Sequence, residues 1–147
     1  MGYQKILCGV TGSLHSQKAA LEAAVMAGQS HAELIYVYVV DVSFLKRGSS
    51  GSITSGAVAE SLDRLGEQFL SVAEEIAKTQ GVVPKKILRK GLVLDVLIKV
   101  VQEEKADLLV LGHEPRTFFE KAIFDGSVED HLEELKKQTG AEILVIR

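Results

Sequence analysis

At 147 residues, 46% hydrophobic and 25% charged, the chain suits one domain, 1–147, that buries a core without disulfide or metal staples. Its formal charge of −3, with Lys and Arg scattered, offers no basic field for nucleic acid or an anionic membrane, so neither is an expected partner. Cys8 is the single cysteine, which excludes an intramolecular disulfide, and its setting Ile6-Leu7-Cys8-Gly9-Val10 reads as a buried packing thiol.

Met1-Gly2-Tyr3 leads directly into strand-like sequence, and no stretch approaches the roughly 18 apolar residues of a spanning helix; the expected location is the cytoplasm. Residues 3–10 form an apolar run suited to a strand covered on both faces, closed by the turn Thr11-Gly12-Ser13. From about Ser16 to Ser30, Ala19, Ala20, Ala23, Ala24 and Ala27 recur at helical spacing, so this helix can lie close to its sheet. The β-branched and aromatic run 33–41 predicts strand two.

Residues 46–56 lack periodicity and are rich in Gly and Ser, which predicts a loop or flap. Val58, Leu62, Leu65, Phe69, Val72 and Ile76 then alternate four and three apart, the stripe of a long helix reaching residue 80. Gly81 and Pro84 precede a charged strand, Lys85 to Lys90, closed by Gly91 and suited to a sheet edge. Leu94, Leu97, Ile98 and Val101 mark a helical face in 94–105, and Leu108-Leu109-Val110-Leu111-Gly112 is a buried strand ending in glycine. After a loop at 113–125, a helix is predicted from Ser127 to Thr139, stopped by Gly140 before a last strand at 141–146.

This β-α alternation implies right-handed crossovers and an α/β fold: a doubly wound, five-stranded parallel sheet with helices on both faces. Ligands of such sheets sit beyond the strand C-termini where chain order reverses. Two turns converge on that crevice, Thr11-Gly12-Ser13 after strand one and Gly112-His113-Glu114-Pro115 after strand four. Competing chemistries find little purchase. His15, His31, His113 and His131 lack metal-ligand spacing, Ser13 has no nucleophile-elbow context, and Val10-Thr11-Gly12 lacks the acidic cluster a magnesium-dependent receiver would need.

The run Asp107-Leu108-Leu109-Val110-Leu111-Gly112-His113-Glu114-Pro115-Arg116-Thr117, then Gly126-Ser127-Val128, then Ile143-Leu144-Val145-Ile146, resembles the universal stress protein family. Lys5-Ile6-Leu7-Cys8-Gly9-Val10-Thr11-Gly12-Ser13 and the segment from Gly91 through Ile98 to Ala106-Asp107 fall where that family has its first-strand turn and its lead into strand four. The match runs the whole chain, and several spaced signals agree. It implies a Rossmann-like sheet of the adenine nucleotide alpha hydrolase type, strand order 3-2-1-4-5.

ATP-binding members of the family carry glycine, two residues, glycine, nine residues, then glycine followed by serine or threonine. The resemblance therefore points to Thr11, Val39, Gly112, His113, Gly126, Ser127 and Val128 as the cofactor-binding set, with ATP as the candidate ligand. The pattern is broken in three places. Pro115 stands where the second glycine belongs, with ten residues instead of nine between it and Gly126, and proline has no N–H to offer a phosphate. Thr11 replaces the family's aspartate, a weaker, uncharged acceptor. Glu129 and Asp130 follow Ser127, complementing the helix terminus and repelling a triphosphate. Ser127 itself also reads as the cap of a capping box.

The expectation is a dimeric regulatory or binding module in stress response, not an enzyme, whose triphosphate grip is eroded. The alternative is an ATP-binding switch in which nucleotide orders the 46–56 loop. The family precedent implies a homodimer through the last strand, and a regulatory role implies a protein partner.

Overall fold

In a computed structural model of the chain, residues 2–40, 52–113 and 132–147 are described, with backbone alone for 52–59. The elements are β1 (Lys5–Gly9), α1 (Leu14–Ser30), β2 (Glu33–Val40), α2 (Ser52–Lys78), β3 (Lys85–Lys90), α3 (Val93–Glu104), β4 (Leu108–Gly112), α4 (Leu132–Thr139) and β5 (Glu142–Ile146). All neighbouring strands are parallel, in the order β3-β2-β1-β4-β5.

Side chains alternate across a strand, and that alternation divides the core in two. Ile6, Cys8, Tyr36 and Val110 meet the α1 alanines and Leu70, Ala73 and Ala77 of α2 on one face. Leu7, Ile35, Val37 and Leu109 meet Val96, Leu97, Val100 and Val101 of α3, and Leu135 of α4, on the other. The crossovers on one side of β1 carry the chain to β3, those on the other side to β5, so the order reverses between β1 and β4.

α1 begins at its Ser13 cap, whose hydroxyl accepts the Ser16 N–H at 3.0 Å. Its alanines bring it close enough for the Tyr36 hydroxyl to donate to the Ala20 carbonyl at 2.8 Å. The described part of α4 starts at Leu132, and the predicted helix start at Ser127 lies outside the described residues.

Two sequence expectations need correction. Residues 52–56 are not loop: α2 begins at Ser52. Once a helix is nucleated, each added residue brings a hydrogen bond, so it propagates through weak formers, and Ser is at home near an N-terminus. Residues 46–51 lie outside the described residues. The α2 stripe is also shifted. Leu65 and Val72 are exposed, whereas Gly66, Leu70, Ala73 and Ala77 are buried. Close approach selects small residues here, since a Cβ on Gly66 would lie 2.6 Å from Tyr38 Cδ1 and 2.8 Å from Leu88 Cδ1. Likewise α3 turns inward along Val96, Leu97, Val100 and Val101, with Leu94 and Ile98 at the margin.

The two sheet edges differ. On β3, Lys85 pairs with Glu104, Lys86 with Glu74, Arg89 with Glu103 and Lys90 with Asp63, so the strand is flanked by charge. β5 reads Glu-Ile-Leu-Val-Ile, with its last four residues partly buried.

Candidate functional site

The turn after β1 is held by its own hydroxyls. The Thr11 N–H donates to Ser16 Oγ at 2.7 Å, the Ser13 N–H donates to Thr11 Oγ1 at 3.2 Å, and Thr11 Oγ1 donates to Ser13 Oγ at 3.2 Å. Ser16 is 1% exposed, so its hydroxyl serves the turn from inside. Gly12 lies against the tip of the Phe69 ring: a Cβ there would stand 2.5 Å from Phe69 Cζ, so the ring would have to shift. Thr11 also borders a cleft of about 80 Å³ between α1 and α2, with Val10, Ser16, Phe69, Val72 and Ala73.

The turn after β4 meets the start of α1. A Cβ on Gly112 would lie 2.6 Å from the carbonyl carbon and oxygen of His15 and 2.7 Å from the Ser16 nitrogen. The glycine is not in a left-handed conformation; it is needed because the first turn of α1 presses on it. The convergence expected of the 11–13 and 112–115 loops is therefore present in its described part, through His15 and Ser16.

His113 follows directly. Its N–H donates to the Ile146 carbonyl at 2.7 Å, Arg147 Nη1 stands 3.4 Å from its Nδ1, and its ring meets that of His15 edge to face, with centroids 5.6 Å apart. Nδ1 of His15 is buried with no hydrogen-bond partner among the described residues. The sequence reading set His15 aside with the other histidines and did not single out Arg147. The one signal for His15 was its place two residues after the Ser13 cap, and nothing local marked Arg147, which reaches His113 only because β5 pairs with β4.

Val39 lies on β2, partly buried against the α3 and α4 side of the core. It is two residues beyond Val37, the last β2 residue paired with β1, and it faces the opposite side of the sheet from the cleft that Thr11 borders. Thr11, Val39, Gly112 and His113 thus all sit at the C-terminal ends of β1, β2 and β4, with Gly112 and His113 gathered tightly around α1. Gly126, Ser127 and Val128 lie outside the described residues, as do Pro115, Glu129 and Asp130.

Cys8 is fully buried, and burial pushes its thiol well above the ordinary thiol range, which suits packing and not nucleophilic chemistry. Among the described residues, no three His, Cys, Asp or Glu side chains gather as a metal-ligand set, and no helix is long and apolar enough to cross a membrane.

The family model described as the universal stress protein family matches residues 2–145. A universal stress protein of Methanocaldococcus jannaschii is 30% identical over 146 residues, covering 99% of this chain and 82% of that one. Among solved structures, the universal stress protein UspA of Lactobacillus plantarum superposes with a TM-score of 0.77 at 22% identity, covering 100% of this chain and 99% of the other. A universal stress protein in complex with cAMP gives 0.70 at 23%, covering 100% and 98%. The Archaeoglobus fulgidus universal stress protein in complex with dAMP gives 0.65 at 18%, covering 100% of both. With the sheet order, the paired turns and a match over nearly its whole length, the chain belongs to the universal stress protein family.

Proposed function

We propose that this chain is a regulatory module of stress response that acts in the cytoplasm by being occupied, not by turnover, and that its groove at the β1/β4 junction takes an adenine nucleotide with one phosphate in preference to ATP. The observation that supports this reading is the packing of Gly112 against the His15 and Ser16 backbone, which brings the end of β4 to the first turn of α1, beside the Thr11 turn that Ser16 holds. A buried imidazole nitrogen without a partner costs about 1–3 kcal/mol, and a ligand hydroxyl would satisfy His15 Nδ1.

Two relatives of this fold hold cAMP and dAMP, each with a single phosphate. One phosphate needs fewer donors than three, so it tolerates the donor that Pro115 withholds. Turnover is disfavoured by the placement of the nearby hydroxyls: those of Thr11, Ser13 and Ser16 hold the turn. The module is read as a homodimer joined through β5, because among the described residues ion pairs flank the β3 edge while the apolar run of β5 shows none, and an apolar strand edge without flanking charge recruits another strand.

Calorimetric titration with AMP tests the reading, with amide shifts followed by NMR. AMP at about 100 times its dissociation constant should stabilise the fold by roughly 2.7 kcal/mol and shift the amides of Thr11, Ser16, Gly112 and His113. Saturating AMP without heat or shifts contradicts it.

A further inference from the structure

The end of the sheet opposite the groove carries a side-chain cluster that the nucleotide reading does not use. Asp107, just before β4, accepts the backbone N–H groups of Gln4 and Lys5 on its two carboxylate oxygens, at 2.9 and 3.0 Å, and its own N–H donates to the Lys5 carbonyl at 3.0 Å. Glu142, the first residue of β5, donates its N–H to the Asp107 carbonyl at 3.1 Å. The Tyr3 hydroxyl reaches past the start of β4 and donates to the Glu142 carboxylate. Because β4 lies between β1 and β5, this bond ties the chain entering β1 to a strand two places away. The Tyr3 ring packs on the same core cluster as Leu144 and Ile146 of β5, so the hydroxyl is carried by a seated ring.

The charged groups that face the Tyr3 hydroxyl among the described residues are Glu142 on β5 and Asp107 before β4, and both are acidic. Lys5 is turned to Glu33 and Glu104, and α1 meets this side of the core through alanines and Met26. The hydrogen bond to Glu142, then partial burial and the charges of Glu142 and Asp107, hold the phenol above its ordinary range, so it stays a donor at neutral pH. A phenolate has no proton to donate and would face two like charges.

We propose that Tyr3 is a charge-sensitive latch on β5: as a neutral phenol it holds Glu142 and seats the start of the strand against β4, and a negative charge on its oxygen releases that end of the strand. The latch sits at the N-terminal ends of the strands, and it rests on neither the nucleotide reading nor the dimer. Its contribution to stability is complete below the ordinary phenol value of about 10 and is lost as pH rises through the higher folded-state value.

The test uses the full chain with tyrosines ¹³C-labelled at Cζ and methyl labels on Leu and Ile. Tyr3 should titrate above the ordinary phenol range, and the Leu144 and Ile146 methyls should move in the same step. Tyr3→Phe, which keeps the ring, should abolish that methyl step. Glu142→Gln should bring the Tyr3 midpoint back toward its ordinary value, a shift that ring packing alone would not produce. At pH 7 the Glu142 amide should exchange its hydrogen about fivefold faster in Tyr3→Phe than in the parent, as expected for the loss of one hydrogen bond. A Tyr3 midpoint at or below the ordinary value, a methyl step that persists in Tyr3→Phe, or equal exchange at Glu142 in the two chains overturns the latch.

Discussion

Gly112, the last residue of β4, lies directly against His15 in the first turn of α1, so close that a methyl group on Gly112 would sit 2.6 Å from the His15 carbonyl carbon and oxygen. Both sides of this contact are backbone, and neither can swing away as a side-chain tip could. Gly112→Ala should therefore push the start of α1 off the sheet and destabilise the fold by about 1–3 kcal/mol, the usual range for overpacking. Urea unfolding reads the loss, and an unchanged midpoint would show that α1 is not seated there.

The β5 edge makes a prediction that leaves the intrachain ladder alone. Glu142 donates its N–H to Asp107, and Ile146 accepts from His113. In a parallel strand, alternate residues face opposite neighbours, so the N–H and C=O of Ile143 and Val145 point to the open edge. Val145→Pro removes one outward donor and no inward one. Sedimentation should show a dimer for the parent chain and a monomer of unchanged helix content for the variant; a variant that stays dimeric places the interface elsewhere.

The β3 flank carries a pH signature. Glu103 is held below the ordinary carboxylate range by its hydrogen bond with Arg89, and Glu74 is held low by Lys86. A depressed carboxylate stabilises the fold above its unfolded-state value, and the contribution is lost as pH falls below about 4.5. Both pairs are solvent-exposed, so the effect is small and weakened by salt. Glu103→Gln should be less stable than the parent at pH 7 and converge with it as the pH falls through the depressed folded-state range of Glu103. Parallel stability curves across that range would contradict the pairing.

Most of the fold was legible because the apolar strands and helical stripes carry its period in large residues. Leu108 to Gly112, with an apolar run bounded by Asp107 and glycine, is a strand by pattern alone. What escaped was governed by size and by contacts distant in sequence. In α2, hydropathy favours Leu65 and Val72, yet both are exposed because Gly66, Ala73 and Ala77 let the helix approach Tyr38 and Leu88. The start of α2 was missed because Ser52 to Gly56 have poor intrinsic propensity and become helical through continuity with the helix that follows. At the groove, Thr11, Gly112 and His113 could be found from strand ends, and the rest of that constellation could not. Arg147 and His113 are 34 positions apart, and only the β4–β5 register makes them neighbours.

On the proposed reading, the junction between the β1 and β4 turns admits a nucleotide with one phosphate and holds a triphosphate weakly. The most direct measurement compares AMP with magnesium ATP by calorimetry in the parent chain and in the variant carrying Pro115→Gly with Thr11→Asp. The parent should bind AMP at least as tightly as ATP, and the variant should gain tenfold or more for ATP, about the contribution of one restored hydrogen bond to a charged group. ATP binding more tightly than AMP to the parent, or no gain in the variant, would contradict the account.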